Sequence, residues 1–287
     1  MRHITLLSLC LGSAVLLSGC EGQMTDEEVE RAVAGVNVID ESGLGDVMLA
    51  SSDPNEAVTY FTRSVQQYPS RIDLKRKLAI SLVRAKKPTE AARVWTQVVE
   101  SDEGTDEDRV KLADALIRAG DWSKAEDVLN QVPPTHQTYD RYRLEAMVAD
   151  SDEDWKKSDS FYETAVGLTT QPARTLNNWG YSKLTRGDFA GAEKLFTEAL
   201  TYDDGLFTAK NNLMMARGAQ RKYDMPVVKV TQVERAQLLH TLALAAIKQG
   251  DLNMGKTLLQ EAIDTNPQYF DEAVRALRAL EDNVSAG

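Results

Sequence analysis

The chain is poor in the residues that most chemistry requires. It has two cysteines among 287 residues, Cys10 and Cys20, both near the N-terminus. That excludes a disulfide framework or a cysteine-based metal site anywhere else. The three histidines, His3, His136 and His240, stand far apart, and no His-x-x-x-His pair offers zinc ligands. Positive charge is also short: 33 lysines and arginines face 44 aspartates and glutamates, a formal net charge of −11. Nucleic acid selects basic surfaces, so it is not an expected partner. Neither a Gly-x-Ser-x-Gly elbow nor a phosphate-cradling glycine loop occurs. The acidic runs 102–108 and 150–154 lack the glycine and spacing of a calcium-binding EF-hand loop. They read as inter-helix turns with capping carboxylates. No enzyme activity, cofactor, metal or small-molecule substrate is expected.

Long apolar runs are missing too, save one. Residues 4–17 are largely apolar and follow Arg2 and His3. The run has the length of a signal-peptide core and is too short to span a bilayer of about 30 Å. Leu17-Ser18-Gly19-Cys20 closes it and resembles the lipobox of bacterial lipoproteins; the alternative is an ordinary signal peptide that happens to end in a cysteine. The resemblance implies removal of residues 1–19 and acylation of Cys20. Each buried methylene adds about 0.8 kcal/mol of membrane affinity, so several chains anchor stably. Glu21, where lipoproteins of the inner membrane often carry Asp, leans towards an outer-membrane anchor facing the periplasm. Residues 20–36 read as an acidic tether.

What the chain does have is a rhythm. Ala57, Ala91 and Ala125 recur at a spacing of about 34 residues, and Ser158, Ala192 and Gly255 continue the series after small slips. A large apolar residue follows each by one helical turn: Phe61, Trp95, Leu129, Tyr162, Phe196 and Leu259. This pattern resembles tetratricopeptide repeats. It predicts an all-α solenoid, a right-handed superhelix of antiparallel helix pairs, over 37–282. Units fall near 38–71, 72–105, 106–139, 140–172, 173–206 and 236–269, with an atypical one at 207–235. A capping helix at 270–282 and a disordered tail at 283–287 complete the chain.

The best-formed unit, 173–206, carries Gly180, Ala192 and Phe196 at consensus-like positions, with Gly180 expected to face Ala192. In 236–269, Gly250 and Pro267 do the same for the turn and the exit. Gly-Asp-aromatic turns such as Gly120-Asp121-Trp122 combine a left-handed cap with a candidate N-cap carboxylate. Between these two units the period is cut short, and Tyr223-Asp224-Met225-Pro226-Val227-Val228-Lys229-Val230 disfavours helix. Residues 223–231 therefore read as an extended connector, with a partner-binding strand as the alternative.

Scaffolds of this kind bind through their concave face. Asn178 and Asn212 occupy the same position one repeat apart, as do Asn177 and Asn211. Amides both donate and accept, which suits an extended peptide backbone; the other reading is that Asn is common at this position and merely bonds locally. Arg76, Lys77, Arg84, Lys111, Arg118 and Arg174 fall at or beside groove positions. They predict a locally positive face for an acidic or C-terminal carboxylate segment.

The lipobox, the tether and the stretch 205–280 together resemble the TadD-type lipoproteins of tight-adherence (Flp-type) pilus assembly. The distinctive part runs through Tyr223-Asp224-Met225-Pro226-Val227, Glu234-Arg235-Ala236-Gln237-Leu238-Leu239 and Lys248-Gln249-Gly250-Asp251. That resemblance implies an outer-membrane scaffold serving pilus biogenesis, with a secretin as protein partner. Two other readings share the fold and location. One is a general periplasmic adaptor recruiting peptidases or envelope enzymes; the other is a component of outer-membrane protein insertion.

Overall fold

A computed structural model describes residues 43–51 and 53–285. The expected leader at 1–19, Cys20 and the expected tether at 20–36 lie outside the described residues. Among the described residues there are 14 helices and no strand, and no helix is long and apolar enough to cross a membrane. The chain divides into two compact units, Met1–Ser52 and Asp53–Gly287. The boundary falls inside the stretch assigned from sequence to a first repeat, 38–71. Of the first unit, helix α1 (Leu44–Ser51) is described.

The second unit holds helices α2 (Pro54–Gln67), α3 (Ile72–Arg84), α4 (Pro88–Val99), α5 (Asp106–Ala119) and α6 (Trp122–Leu129). They are followed by α7 (Tyr139–Ser151), α8 (Trp155–Gly167), α9 (Ala173–Thr185), α10 (Phe189–Tyr202) and α11 (Phe207–Ala219). The last three are α12 (Gln232–Lys248), α13 (Leu252–Thr265) and α14 (Asp271–Ser285). Each helix packs on its chain neighbours, and the first helices α5 and α7, and α9 and α11, also touch. Short turns reverse the chain between partners, so contacts stay local and the core repeats with the sequence.

Local chemistry sets the boundaries. Asp53 caps α2 through Asn55 N at 2.8 Å, with Pro54 in the first turn. Thr105 and Asp108 form a reciprocal capping box on α5, as do Thr231 and Glu234 on α12. Every first helix from α3 to α12 ends on a left-handed residue: Lys86, Gly120, Glu153, Gly187, Arg221 and Gly250. The aspartate after it is less uniform. Asp188 accepts from Gly191 N at 2.9 Å, whereas Asp121 and Asp251 make no capping bond. The Asp251 carboxylate is occupied by Arg221 at 2.7 Å and by the Tyr223 hydroxyl.

Those two bonds help define the break in the rhythm. Arg221 adopts the left-handed turn that elsewhere starts a second helix, but residues 222–231 are not helical. Tyr223, Met225, Val228 and Val230 instead pack on the core of α10 to α14. Helix α12 then lies directly on α11, close enough that a Cβ on Gly218 would sit 2.4 Å from Ala245 Cβ. In the same way, the space denied to a side chain at Gly180 is filled by the Phe196 ring, 2.7 Å from a Cβ, and not by Ala192. Helix α14 runs to Ser285, through three residues assigned from sequence to a disordered tail. No helix breaker precedes Gly287 there.

Candidate functional site

The first helices of consecutive pairs line a groove of two connected chambers. The larger, about 690 Å³, lies over α9, α11 and α12, and the smaller, about 520 Å³, over α7, α9 and α11. Tyr181 and Thr185 belong to both. Tyr181, Met215 and Leu244 sit at the same place on α9, α11 and α12, and are 51%, 40% and 46% exposed. Large apolar side chains left in water at one position of three successive repeats form a stripe, not scattered surface residues. Lys248 is the one charged side chain lining the larger chamber.

The four groove asparagines divide. Asn212 Nδ2 donates to Asn177 Oδ1 at 3.1 Å, and both are buried. That bond ties α9 to α11. Asn211 Oδ1 accepts from the Thr241 hydroxyl at 2.7 Å, tying α11 to α12. Asn178 lines the smaller chamber, and its side-chain amide makes no hydrogen bond within the described residues. Three of the amides are thus committed between repeats, and one faces the groove free.

The N-terminal end of the groove is charged but balanced. Lys111 bridges Asp140 at 2.6 Å and Glu107 at 3.0 Å. Arg118 pairs with Asp114 at 2.6 Å, and Arg143 with Asp114 at 3.3 Å. Burial draws the Asp140 carboxyl upward, but Lys111 and Arg143 hold it below its ordinary value. Arg76 is taken by Asp108 at 2.8 Å. Arg76, Lys111 and Arg118, three of the cations expected to make that face positive, are therefore each answered by a carboxylate one repeat or one turn away. Arg174, exposed in the first turn of α9, lies outside the lining of these chambers.

A carboxylate marks the floor of the smaller chamber. Asp150, on α7, accepts from the Ser158 and Ser182 hydroxyls at 2.5 and 2.7 Å and from the Tyr162 hydroxyl at 2.9 Å. Those hydroxyls come from α8 and α9, and all three residues are buried. Burial, and then the Asp150 charge, push the Tyr162 phenol well above its ordinary value near 10. A phenol raised on folding contributes fully below the unfolded value and is lost above it. Stability should fall as pH climbs past about 10, by up to about 1.4 kcal/mol per pH unit from this group. Alkaline unfolding of Tyr162→Phe should show a slope about one proton shallower than the parent; an equal slope refutes the assignment.

The two described histidines lie in different repeats. His136 Nε2 lies 3.4 Å from Glu107. His240 packs on Phe270, and burial lowers its pKa against the opposing pull of Glu272. No group of three ligating side chains occurs among the described residues.

The repeat register placed Asn177, Asn178, Asn211 and Asn212 at the groove. The same register, carried three residues further, identifies Tyr181, Met215 and Leu244, whose residue types alone give no sign of a groove position. Asp150, Trp122 and Trp155 give no such signal, because their importance lies in which neighbours they meet.

Comparison with known proteins supports the architecture. Tetratricopeptide-repeat family profiles match residues 82–148 and 236–269. Among solved structures, the Cut9-Hcn1 hetero-tetramer of APC/C aligns with TM-score 0.59 at 15% identity, over 82% of this chain and 48% of that one. The chain thus spans about half the length of that protein. PilW, described as a widely conserved type IV pilus biogenesis factor, gives 0.54 at 14% identity, over 72% of this chain and 98% of its own. A tetratricopeptide repeat protein from Parabacteroides merdae ATCC 43184 gives 0.53 at 13%, over 90% and 99%. No curated protein matches. The fold is a tetratricopeptide-repeat helical array.

Proposed function

We propose that this chain is a lipid-anchored scaffold of tight-adherence (Flp-type) pilus assembly, held at the outer membrane through Cys20 and facing the periplasm. Its groove takes a segment of the pilus secretion apparatus, a secretin, and so aids secretin localisation or assembly. The observation that carries the binding role is the exposed stripe Tyr181, Met215 and Leu244 along a two-chambered groove. The pilus assignment draws on the residues of 205–280 and on the shared fold of PilW, a pilus biogenesis factor.

A double variant, Met215→Glu with Leu244→Glu, puts two carboxylates on the stripe without entering the core. Loss of hot-spot contacts of about 2 kcal/mol or more predicts at least about thirtyfold weaker partner capture. In the source bacterium this variant should lose surface pili and secretin multimers while porin levels stay normal. Cys20→Ser should move the chain from the membrane to the soluble fraction. Normal piliation by the double variant at parental abundance would sink the reading.

A further inference from the structure

The smaller chamber differs in chemistry from the rest of the groove. Four aromatic side chains, Trp122, Trp155, Tyr162 and Tyr181, line it together with the free amide of Asn178. Its one charged lining side chain is the Asp150 carboxylate. Hydroxyls satisfy both Asp150 oxygens, but they are neutral donors, and no cation among the described residues forms an ion pair with it. The guanidiniums of the neighbouring first helices are already engaged. Arg143 bridges Asp114 and Asp140, and Arg186 bonds Asp159 at 2.6 Å. Arg186 also stacks over Trp155 at 5.5 Å, so this indole already carries a cation within the protein.

A pocket walled by aromatic rings and floored by a carboxylate without an ion-pair partner attracts a cation in two ways. The ring faces are electron-rich, and the carboxylate supplies a full charge in a partly desolvated setting. An acidic side chain would meet repulsion in the same place. The larger chamber has the opposite bias, since Lys248 is its one charged lining residue.

We infer that the smaller chamber is a subsite for a basic side chain, lysine or arginine, of the segment captured in the groove, read by Asp150 and the rings of Trp122 and Tyr181, with Trp155 forming the wall beside them. The segment's apolar side chains then lie on Met215 and Leu244 in the larger chamber. This rests on the reading of the groove as a protein-binding face and reverses the acidic preference expected from sequence. Of the cations that suggested that preference, Arg76, Lys111 and Arg118 are paired with carboxylates, and Arg174 lies outside the lining of both chambers.

The test uses the full chain in detergent and small probes. N-acetyl-arginine amide, its neutral isostere N-acetyl-citrulline amide, and N-acetyl-glutamate amide are titrated while the indole N–H signals are followed by NMR. Trp122 and Trp155 should shift with the arginine probe, while Trp95, buried in another repeat, stays fixed. Citrulline and glutamate probes should bind at least about tenfold more weakly. Asp150→Asn keeps an acceptor for the serines and removes the charge; it should weaken the arginine probe by a similar factor. Trp122→Ala, on the exposed rim, checks the rings should the first variant fold poorly. Equal response to citrulline, a preference for glutamate, or arginine binding unchanged in both variants overturns the inference. Pilus loss in the Met215/Leu244 variant would stand regardless, so the two readings fail separately.

Discussion

Phe196→Ala is expected to destabilise the centre of the array by about 3–5 kcal/mol, the range for deleting a fully buried aromatic ring. Phe196 is wholly inaccessible and sits in a core shared by α10, α11 and α12 with Ala192, Leu213, Met214 and Leu239. Its ring also lies where a side chain on Gly180 would go, 2.7 Å from a Cβ at that glycine. Gly180→Leu on its own should therefore cost about 1–3 kcal/mol by overpacking. The two losses should not add. In the double variant the leucine enters the space the ring vacates, so its cost should fall below the sum by about 1 kcal/mol or more. Denaturant unfolding of the four proteins measures this coupling, and strict additivity would mean that Gly180 and Phe196 do not confront each other.

That pair indicates what the sequence makes legible. The small-then-bulky spacing identifies which helices pack, because a solenoid repeats its core with its period. It names Gly180 and Phe196 as packing residues but pairs the glycine with Ala192. Side-chain direction along α10 decides that detail, and spacing does not carry it. Turns are legible for a related reason. Gly120, Gly187 and Gly250 mark the left-handed position, while Lys86, Glu153 and Arg221 adopt it without any compositional signal. The connector after Arg221 is readable because Pro226 and three valines disfavour helix within a few residues.

The groove was harder. Its charge depends on pairs that cross repeats, such as Lys111 with Asp140 and Arg143 with Asp114. A count of cations at groove positions omits the carboxylates that answer them. Arg118 with Asp114 sits at i, i+4 and could have been cancelled from spacing alone. The amides fail for a different reason. Asn177 and Asn212 lie close enough to satisfy one another, and a buried amide takes the nearer partner. What remains open to a ligand is the exposed stripe, Asn178 and the aromatic chamber.

Asp150→Ala should cost about 3 kcal/mol or more, although the residue itself is only half buried. The loss comes from its partners. Removing the carboxylate strands the hydroxyls of Ser158, Ser182 and Tyr162, which are 0%, 4% and 1% exposed. Each buried polar group left unmatched costs about 1–3 kcal/mol, and serines recover part of this by turning to backbone carbonyls. Tyr162 has no such local escape, since its oxygen is far from its own backbone. Asp150→Asn should be much milder, about 1 kcal/mol, because the amide oxygen keeps the serines and the amide nitrogen can donate to the phenol in reverse. Hydrogen exchange reads the difference locally, which suits an array whose repeats open in sections. For the alanine variant, protection in α7, α8 and α9 should fall by roughly a hundredfold, at about 1.4 kcal/mol per tenfold, with α3 and α4 unchanged. Equal protection in the alanine and asparagine variants would mean that the hydroxyl cluster does not hold these helices together. The asparagine variant, folded but uncharged, is then the proper comparison for any ligand whose affinity depends on the charge in that chamber.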